Sequence, residues 1–482
     1  MARHAGRRLA GISLASGGPE TARHALTMNN VFSFAIPRMA QWVAGLSVGD
    51  TPASVRQCAT RCIVDTVGVA IAGTGTPVGR LAREAQQPAA SVHDSSGVFG
   101  MALRFAAPQA AFVNGVAAHA LDFDDNCYAG FVHGSAVIVP AAFAVAQARD
   151  MTGAQLVTAL VAGAECEYAT GAASRNVLYD KGWWTTGILG PIGASAAAAY
   201  LLGLNAEQTA NAIGLAVAGA GGMKSCFGTD GKALMAGRAA EAGVMCAMLA
   251  TRGALGPHDA FENHNGFVSL INGGTFDTTA FDALGRKWSM LDPGVDIKRI
   301  PVCFSSHAAV DLVMQLVREN AISPDDIESI VCDVPPIVRK NLAYDAPKTV
   351  QEAQFSMPFA IAASLHFGDL GLEHLRADLL HSDALRSLMA RISMHTTSMW
   401  DDAQRRASAP EGASVTMHLR DGPQYQAYRA IAIGCAADPL SETQLDDKFL
   451  ACATRELDEV VARGLLNRLR QIDSDDSVRM LL

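Results

Sequence analysis

From about Pro52 to Ala280 the chain is written in small and apolar residues at helical spacing, which limits its possible folds more than any other feature. Ala59, Cys62, Ile63, Thr66 and Val67 repeat at i, i+3, i+4, i+7 and i+8, the pattern of a helix that buries one stripe. Gly203-Leu204-Asn205 ends one such run, and Asn205 with Gln208 forms a capping-box pattern that opens a helix toward Ala218. Small residues such as Ala196 to Ala199 let helices approach closely. No strand-helix rhythm runs through this region, so a doubly wound sheet is disfavoured and a mainly α architecture is expected.

The text changes near Trp288 to Pro293, and strands follow it. Ile327 to Val334 is closed by Pro335-Pro336; Ile392 to His395 and Ser414 to Leu419 come later, with Asp421-Gly422 as a hairpin turn and Tyr425 to Ala430 returning. Two helices accompany them, one with Val310, Val313, Met314 and Val317 on a face, the other from Phe355 to Leu365. These segments describe an α+β region, and Asp446 to Ile472 reads as helix again. The expected layout is a large all-helical domain made by both chain ends (28–290 and 436–482), with a smaller α+β domain inserted between (291–435). Residues 1–27 carry Arg3, Arg7, Arg8 and Arg23 against Glu20 alone, and are read as disordered or as an over-called start, with Met28 near the true one.

A length of 482 residues allows two or three domains, and 50% hydrophobic with 18% charged residues excludes a disordered chain. The net charge of −9 gives no reason to bind nucleic acid or an anionic membrane. The uncharged stretch Gly182 to Ala206 is long enough to span a bilayer, but Pro191 and its Gly, Thr and Ala content favour a buried helix. The ten cysteines form no CxxC pair, so a reducing, cytoplasmic setting is expected, with Cys58 and Cys62 assigned to packing.

The densest polar cluster in apolar text is Asn114, His119, Asp122, Asp124 and Asp125, followed by His133. Carboxylates crowded together shift one another's pKa, and carboxylate with histidine is common equipment for moving protons. Capping and turn formation is the structural alternative, and a metal site of His119, Asp122 and His133 matches no ligand spacing. The Gly-rich stretch from Gly221 to Lys232 is no P-loop; Lys232 reads as a carboxylate-binding cation or, taken alone, as an ordinary surface lysine. Lys298, Arg299 and Cys303 precede Ser305-Ser306-His307 at a helix start suited to an anion, where His307 reads equally as ligand-binding or structural. Trp183-Trp184 suggests both a ligand wall and a core contact. Motifs of serine hydrolases, zincins and dinucleotide enzymes are absent from the sequence.

In their order along the chain, these segments resemble the MmgE/PrpD family, which includes 2-methylcitrate dehydratases, cis-aconitate decarboxylases and iminodisuccinate epimerase. The carrying text is Asp65 to Ala70, Asn114 to Asp125 with His133, Gly182-Trp183 before Gly187, Lys232 with Gly237 to Ala240, Lys298 with Pro301 and Cys303, and Phe355 to Pro358. The resemblance runs from about Pro37 to Leu469. It implies that the inserted α+β domain is a lid on the discontinuous helical domain, and a homodimer with a cofactor-free, metal-free cleft for a small polycarboxylate. Asp122 and His133 fall on the family's active-site aspartate and histidine, and Lys232 and Lys298 on its substrate-binding lysines. Trp184 and Cys303 stand where the decarboxylases carry histidine, which points to dehydration or epimerisation.

The expected reaction begins with loss of a proton next to a carboxylate, stabilised by Lys232 and Lys298. Asp122, His133, Tyr128 and Cys303 are the candidate acids and bases; Trp184 and His307 are candidate substrate contacts. A hydro-lyase of the 2-methylcitrate dehydratase type leads. An iminodisuccinate-type epimerase is the alternative, then a decarboxylase or a non-catalytic metabolite-binding member. Replacing either lysine by methionine is expected to abolish turnover with little change in thermal stability, on the view that neither lies in a packed core.

Overall fold

The computed structural model describes residues 34–481, so the reading of residues 1–27 lies outside the described residues. The longer helices are α1 (Ala35–Gly45), α2 (Ala53–Thr74), α3 (Ala107–His119), α4 (Gly134–Arg149), α5 (Gly153–Ser174), α6 (Thr185–Leu201), α7 (Ala206–Ala218) and α8 (Asp230–Ala250). Beyond them come α9 (His307–Glu319), α10 (Met357–Phe367), α11 (Glu442–Ala453) and α12 (Glu459–Arg470). The fold is mainly α.

Close helix packing follows from the small residues. A Cβ placed on Gly115 of α3 would lie 3.0 Å from the Cα of Gly237 in α8, and one on Gly163 of α5 would lie 2.6 Å from the Gly193 carbonyl oxygen in α6. Backbones that near exclude larger side chains, so α3, α5, α6 and α8 stack as a tight platform. Asn205 caps α7 by accepting from the Gln208 N–H at 2.9 Å, in the box read from the sequence. The Gly182 to Ala206 stretch is the buried α6.

Strands β1 (Ser95–Gly97) and β2 (Arg104–Ala106) form a small antiparallel pair. The larger sheet has the order β4-β3-β5-β6, from β3 (Ile327–Asp333), β4 (Ile392–His395), β5 (Ala413–Leu419) and β6 (Gln424–Arg429). β3 runs parallel to β4 and antiparallel to β5, with Ile330 opposite both Ile392 and Met417. Val415 and Met417 turn inward, as their alternation indicates. The sequence from Asp446 to Ile472, read as continuous helix, is broken between α11 and α12, where Asp458 caps the second helix.

One apolar core gathers residues from Ala35 to Ile297 and from Leu440 to Leu481; a second gathers residues from Ile300 to Cys435. Where the chain passes from the first core to the second, Asp296 exchanges backbone hydrogen bonds with Asn126 at 2.8 and 2.9 Å. The Ile297 N–H donates to the Gly434 carbonyl on the returning segment at 2.8 Å. The two crossings thus run side by side, and the first of them meets the loop that follows α3.

Several carboxyl groups are buried inside the helical platform. Glu167 of α5 is fully buried and neither carboxyl oxygen has a hydrogen-bond partner; burial pushes it up to about 8. Asp125 is pushed up to about 7 by burial, with help from the charges of Asp65 and Asp124. Such groups hold protons in the folded chain that the unfolded chain has released, so they favour folding below their unfolded pKa and lose that effect as pH rises through 7 to 8. The buried His119, His133 and His307 are shifted down and act in the opposite sense, but only below about pH 6.5. The expected outcome is a melting temperature that falls from pH 6.5 to 8.5. Glu167→Gln should flatten that fall and melt higher than the parent at pH 8.5; equal slopes in differential scanning calorimetry would remove Glu167 from this role.

Candidate active site

The site is built on the loop between α3 and α4. Asp122 turns there with φ of +48°, a left-handed conformation that aspartate tolerates better than most residues, and its carboxylate is almost fully buried. Two lysines from distant segments converge on it. The Nζ of Lys232, from the first turn of α8, pairs with Asp122 Oδ1; the Nζ of Lys298 lies 3.1 Å from Oδ2 and donates to the Asp122 carbonyl at 2.7 Å. Burial alone would push the Asp122 carboxyl up, yet the charges of Lys232 and Lys298 hold it well below the usual carboxylate range. Burial lowers the pKa of Lys298, but Asp122 and Asp124 more than reverse that.

His133 stands beside this triad as the residue preceding α4. Its Nδ1–H donates to the Asp125 carbonyl at 2.7 Å, which fixes the tautomer and leaves Nε2 as the basic nitrogen. Burial, reinforced by Lys232 and Lys298, pushes its pKa down to about 3, so the ring is neutral at physiological pH. Asp124 lies between two rings, 2.7 Å from His119 Nδ1 and 3.4 Å from His133 Nδ1. The set of His119, Asp122 and His133, which the sequence spacing already disfavoured as a metal site, is not brought together: Asp122 faces the lysines and Asp124 takes its place between the imidazoles.

The remaining loop residues are pinned from both cores. Lys448 of α11 reaches Asp65 at 2.6 Å and donates to the Phe123 carbonyl at 2.8 Å. Gln354 donates to the Leu121 carbonyl at 2.6 Å, and its own carbonyl accepts from the Cys303 N–H at 2.8 Å. A central cavity of about 40 Å³ is bordered by Asp122, His133, Lys232, Lys298, Trp184 and Cys303. It is flanked by cavities of about 420 Å³ and 800 Å³; Asp122 and Lys232 also border the first of these, and Tyr179 and Phe227 the second. A ligand larger than a water or two must therefore extend from the centre into a flanking space.

Of the residues expected from sequence, Asp122, His133, Lys232, Lys298, Trp184 and Cys303 meet in this cavity. Burial pushes the Cys303 thiol up to about 11, so it stays protonated near neutrality. Trp184 is buried and lies against His119, with ring centroids 5.4 Å apart. Tyr128 stands apart: it does not border the central cavity, and its hydroxyl donates to Glu411 Oε2 at 2.6 Å. His307 is also elsewhere, buried in the second core's first helix, with Nε2 on the Val302 carbonyl at 3.2 Å and its ring against Phe304. Glu411, which sequence reasoning missed, does border the cavity. It is a single acid before β5, and nothing in its neighbouring sequence marks it.

The burial of both lysines corrects the expectation that they lie outside a packed core. Lys298 is fully buried and Lys232 nearly so, and either substitution removes one of the two cations that make the buried Asp122 charge tolerable. Lys298→Met should lower stability by about 3 kcal/mol as well as abolish turnover, whereas Lys298→Met with Lys232→Met and Asp122→Asn, which removes all three charges together, should recover much of the stability and none of the activity. Urea melts of the parent and the two variants check this; equal stability of Lys298→Met and parent would refute the buried-pair account.

Known proteins resemble this chain over nearly its whole length. Residues 37–279 match the MmgE/PrpD N-terminal domain and residues 300–470 the MmgE/PrpD C-terminal domain. The cis-aconitate decarboxylase of Homo sapiens is 26% identical over 452 residues, covering 91% of this chain and 92% of that protein. That of Mus musculus is 26% identical over 456 residues, with coverage of 92% and 91%. A cis-aconitate decarboxylase-like protein of Aspergillus oryzae is 24% identical over 473 residues, with coverage of 92% and 95%. Both halves of the chain are thus accounted for, and it belongs to the MmgE/PrpD family.

Proposed function

We propose that this chain is a lyase acting on a small di- or tricarboxylic acid, and that its reaction begins with removal of a proton next to a carboxylate. One observation carries this reading: two buried lysines share one aspartate beside a neutral histidine whose free nitrogen is Nε2. An incoming carboxylate can exchange with Asp122 as partner of the lysines, and His133 Nε2 then takes the proton. The charge that develops on the substrate carboxylate is met by fixed, buried cations. Substrate carboxylates beside His133 also offset the lysine charges that depress it, strengthening the base when the ligand is bound.

Dehydration of a hydroxy acid, of the 2-methylcitrate dehydratase type, is the finer reading. Trp184 has no titratable proton, and Cys303 holds its proton too tightly to act as a readily reversible acid near neutrality. Decarboxylation is the second reading, supported by the decarboxylases to which the chain is similar. The second core, which supplies Cys303 and Glu411, acts in this proposal as the lid over the first. Proton NMR in deuterated water with 2-methylcitrate, citrate, cis-aconitate and iminodisuccinate stereoisomers separates these readings. New alkene signals from a hydroxy acid support dehydration; a terminal alkene from cis-aconitate supports decarboxylation; stereoisomer exchange without alkene would replace both with epimerisation. No conversion and no exchange across the panel would overturn the lyase reading.

A homodimer forms the second part of the proposal. Helix α8 is long and apolar enough to cross a membrane by length and composition, yet only half of it is buried. Met245, Met248 and Leu249 share a helical face and are exposed. A second copy of the chain covering this face would bury it, as the family resemblance implies. Light scattering coupled to size exclusion should give a dimer for the parent and a monomer for Met248→Glu with Leu249→Glu; a monomeric parent would end the proposal.

A further inference from the structure

The cavity that Lys232 and Lys298 border carries a second buried carboxylate, Glu411, that no part of the proposed reaction uses. It lies just before β5 and is held by groups from both cores. Tyr128 donates to Oε2 at 2.6 Å; the Ser305 hydroxyl pairs with Oε1, and the Asn341 amide donates to Oε1 at 3.4 Å and to Ser305 Oγ at 3.0 Å. The Tyr179 hydroxyl in turn donates to Asn341 Oδ1, which sets the amide so that its nitrogen faces Ser305 and Glu411. Such a network is costly to bury unless complete, and every member named here has a partner.

Charge is distributed unevenly across the cavity. Asp122 is matched by two cations, whereas among the described residues Glu411 has no ion pair and only hydrogen-bond donors. Lys298 is felt from across the space, and Cys303 and Asp296 are the titratable neighbours on its own side. A carboxylate has about four acceptor sites, and three donors occupy three of them. The one left is on Oε2, on a side chain that borders the cavity. A ligand carboxylate placed there would meet like charge without a cation between, while a hydroxyl would find a ready acceptor.

We propose that Glu411 is a specificity-determining residue that accepts a hydrogen bond from a hydroxyl of the bound polycarboxylate while Lys232 and Lys298 hold its carboxylates. This rests on the polycarboxylate reading above and goes beyond it by assigning the residue that distinguishes a hydroxy acid from its deoxy counterpart. Tyr128, Ser305 and Asn341 are positioning residues for it.

Isothermal titration calorimetry with citrate and tricarballylate, which differ only in one hydroxyl, tests the assignment on the full-length protein. The parent should bind citrate about tenfold more tightly, the worth of one hydrogen bond to a charged acceptor. Glu411→Ala should bring the two affinities together, and Glu411→Gln, whose oxygen the Asn341 amide holds at the Oε1 position so that its NH2 replaces the free Oε2 acceptor, should lose most of the preference; melting temperatures verify that each variant is folded. Equal affinities in the parent, or a preference that survives in folded Glu411→Ala, would overturn the assignment while leaving the polycarboxylate reading intact. If Glu411→Ala does not fold, the parent's ratio and loss of it in the bulkier Glu411→Met decide the matter in the same way. A parent that binds neither acid would overturn the polycarboxylate reading and this assignment with it.

Discussion

The Asp122 carboxylate shared by Lys232 and Lys298 is the interaction on which the rest of the site depends. Three charges taken out of water are costly one at a time, and only their mutual proximity makes them tolerable. Because Lys232 begins α8 and Lys298 sits at the crossing between the two cores, this cluster ties the bundle, the crossing segment and the loop after α3 to one point. Burial keeps His133 neutral, and the two fixed positive charges reinforce it by opposing a third. A single arrangement thus stores cations for a carboxylate and maintains a free imidazole nitrogen next to them.

Holding that arrangement requires a rigid support, which the small-residue helices supply. The close approaches of Gly115 to Gly237 and of Gly163 to Gly193 bring backbones together at distances no larger side chain allows. Helix α3 therefore presents its last residue, His119, and the loop beyond it at a fixed height above α8. Lys448 reaches from α11 to Asp65 and the Phe123 carbonyl, so the end of the chain completes the support that its beginning starts. The Ala-rich composition, unremarkable as chemistry, sets the precision of the chemical groups.

Much of this was legible in the sequence because it depends on local signals. Asn205 with Gln208, the alternation of Val415 and Met417, and the Asp421-Gly422 turn each encode a local structure, and each forms as read. The cluster from His119 to His133 and the two lysines were also recognisable, since polar groups set within apolar text stand out. What failed was direction. Tyr128 is six residues from Asp122 yet turns away to Glu411, because a loop backbone that reverses there sends neighbours to different sides. Glu411 had no local signal: its partners Tyr128, Ser305 and Asn341 are brought to it by three separate segments, which only tertiary structure assembles. The break between α11 and α12 was hidden for a related reason, as Arg455-Glu456-Leu457 contains neither glycine nor proline, and Asp458 is a cap only once the chain has turned.

The same distinction explains why the lysines were misjudged as dispensable to stability. A lysine read in isolation belongs on a surface, and nothing near Lys298 in sequence supplies the negative charge that lets it be buried. That charge comes from Asp122, 176 residues away. Under the proposed function, stability and binding are joined at these positions: the pair that preserves the fold in the free protein is also the pair a substrate carboxylate would enter. Asp122 would then lose cationic partners as the lysines gain new ones, so the cost of displacing the aspartate would be set against the gain of binding. Affinity for a simple carboxylate would thereby be tempered, and discrimination would pass to a group that Asp122 does not engage, as proposed for Glu411.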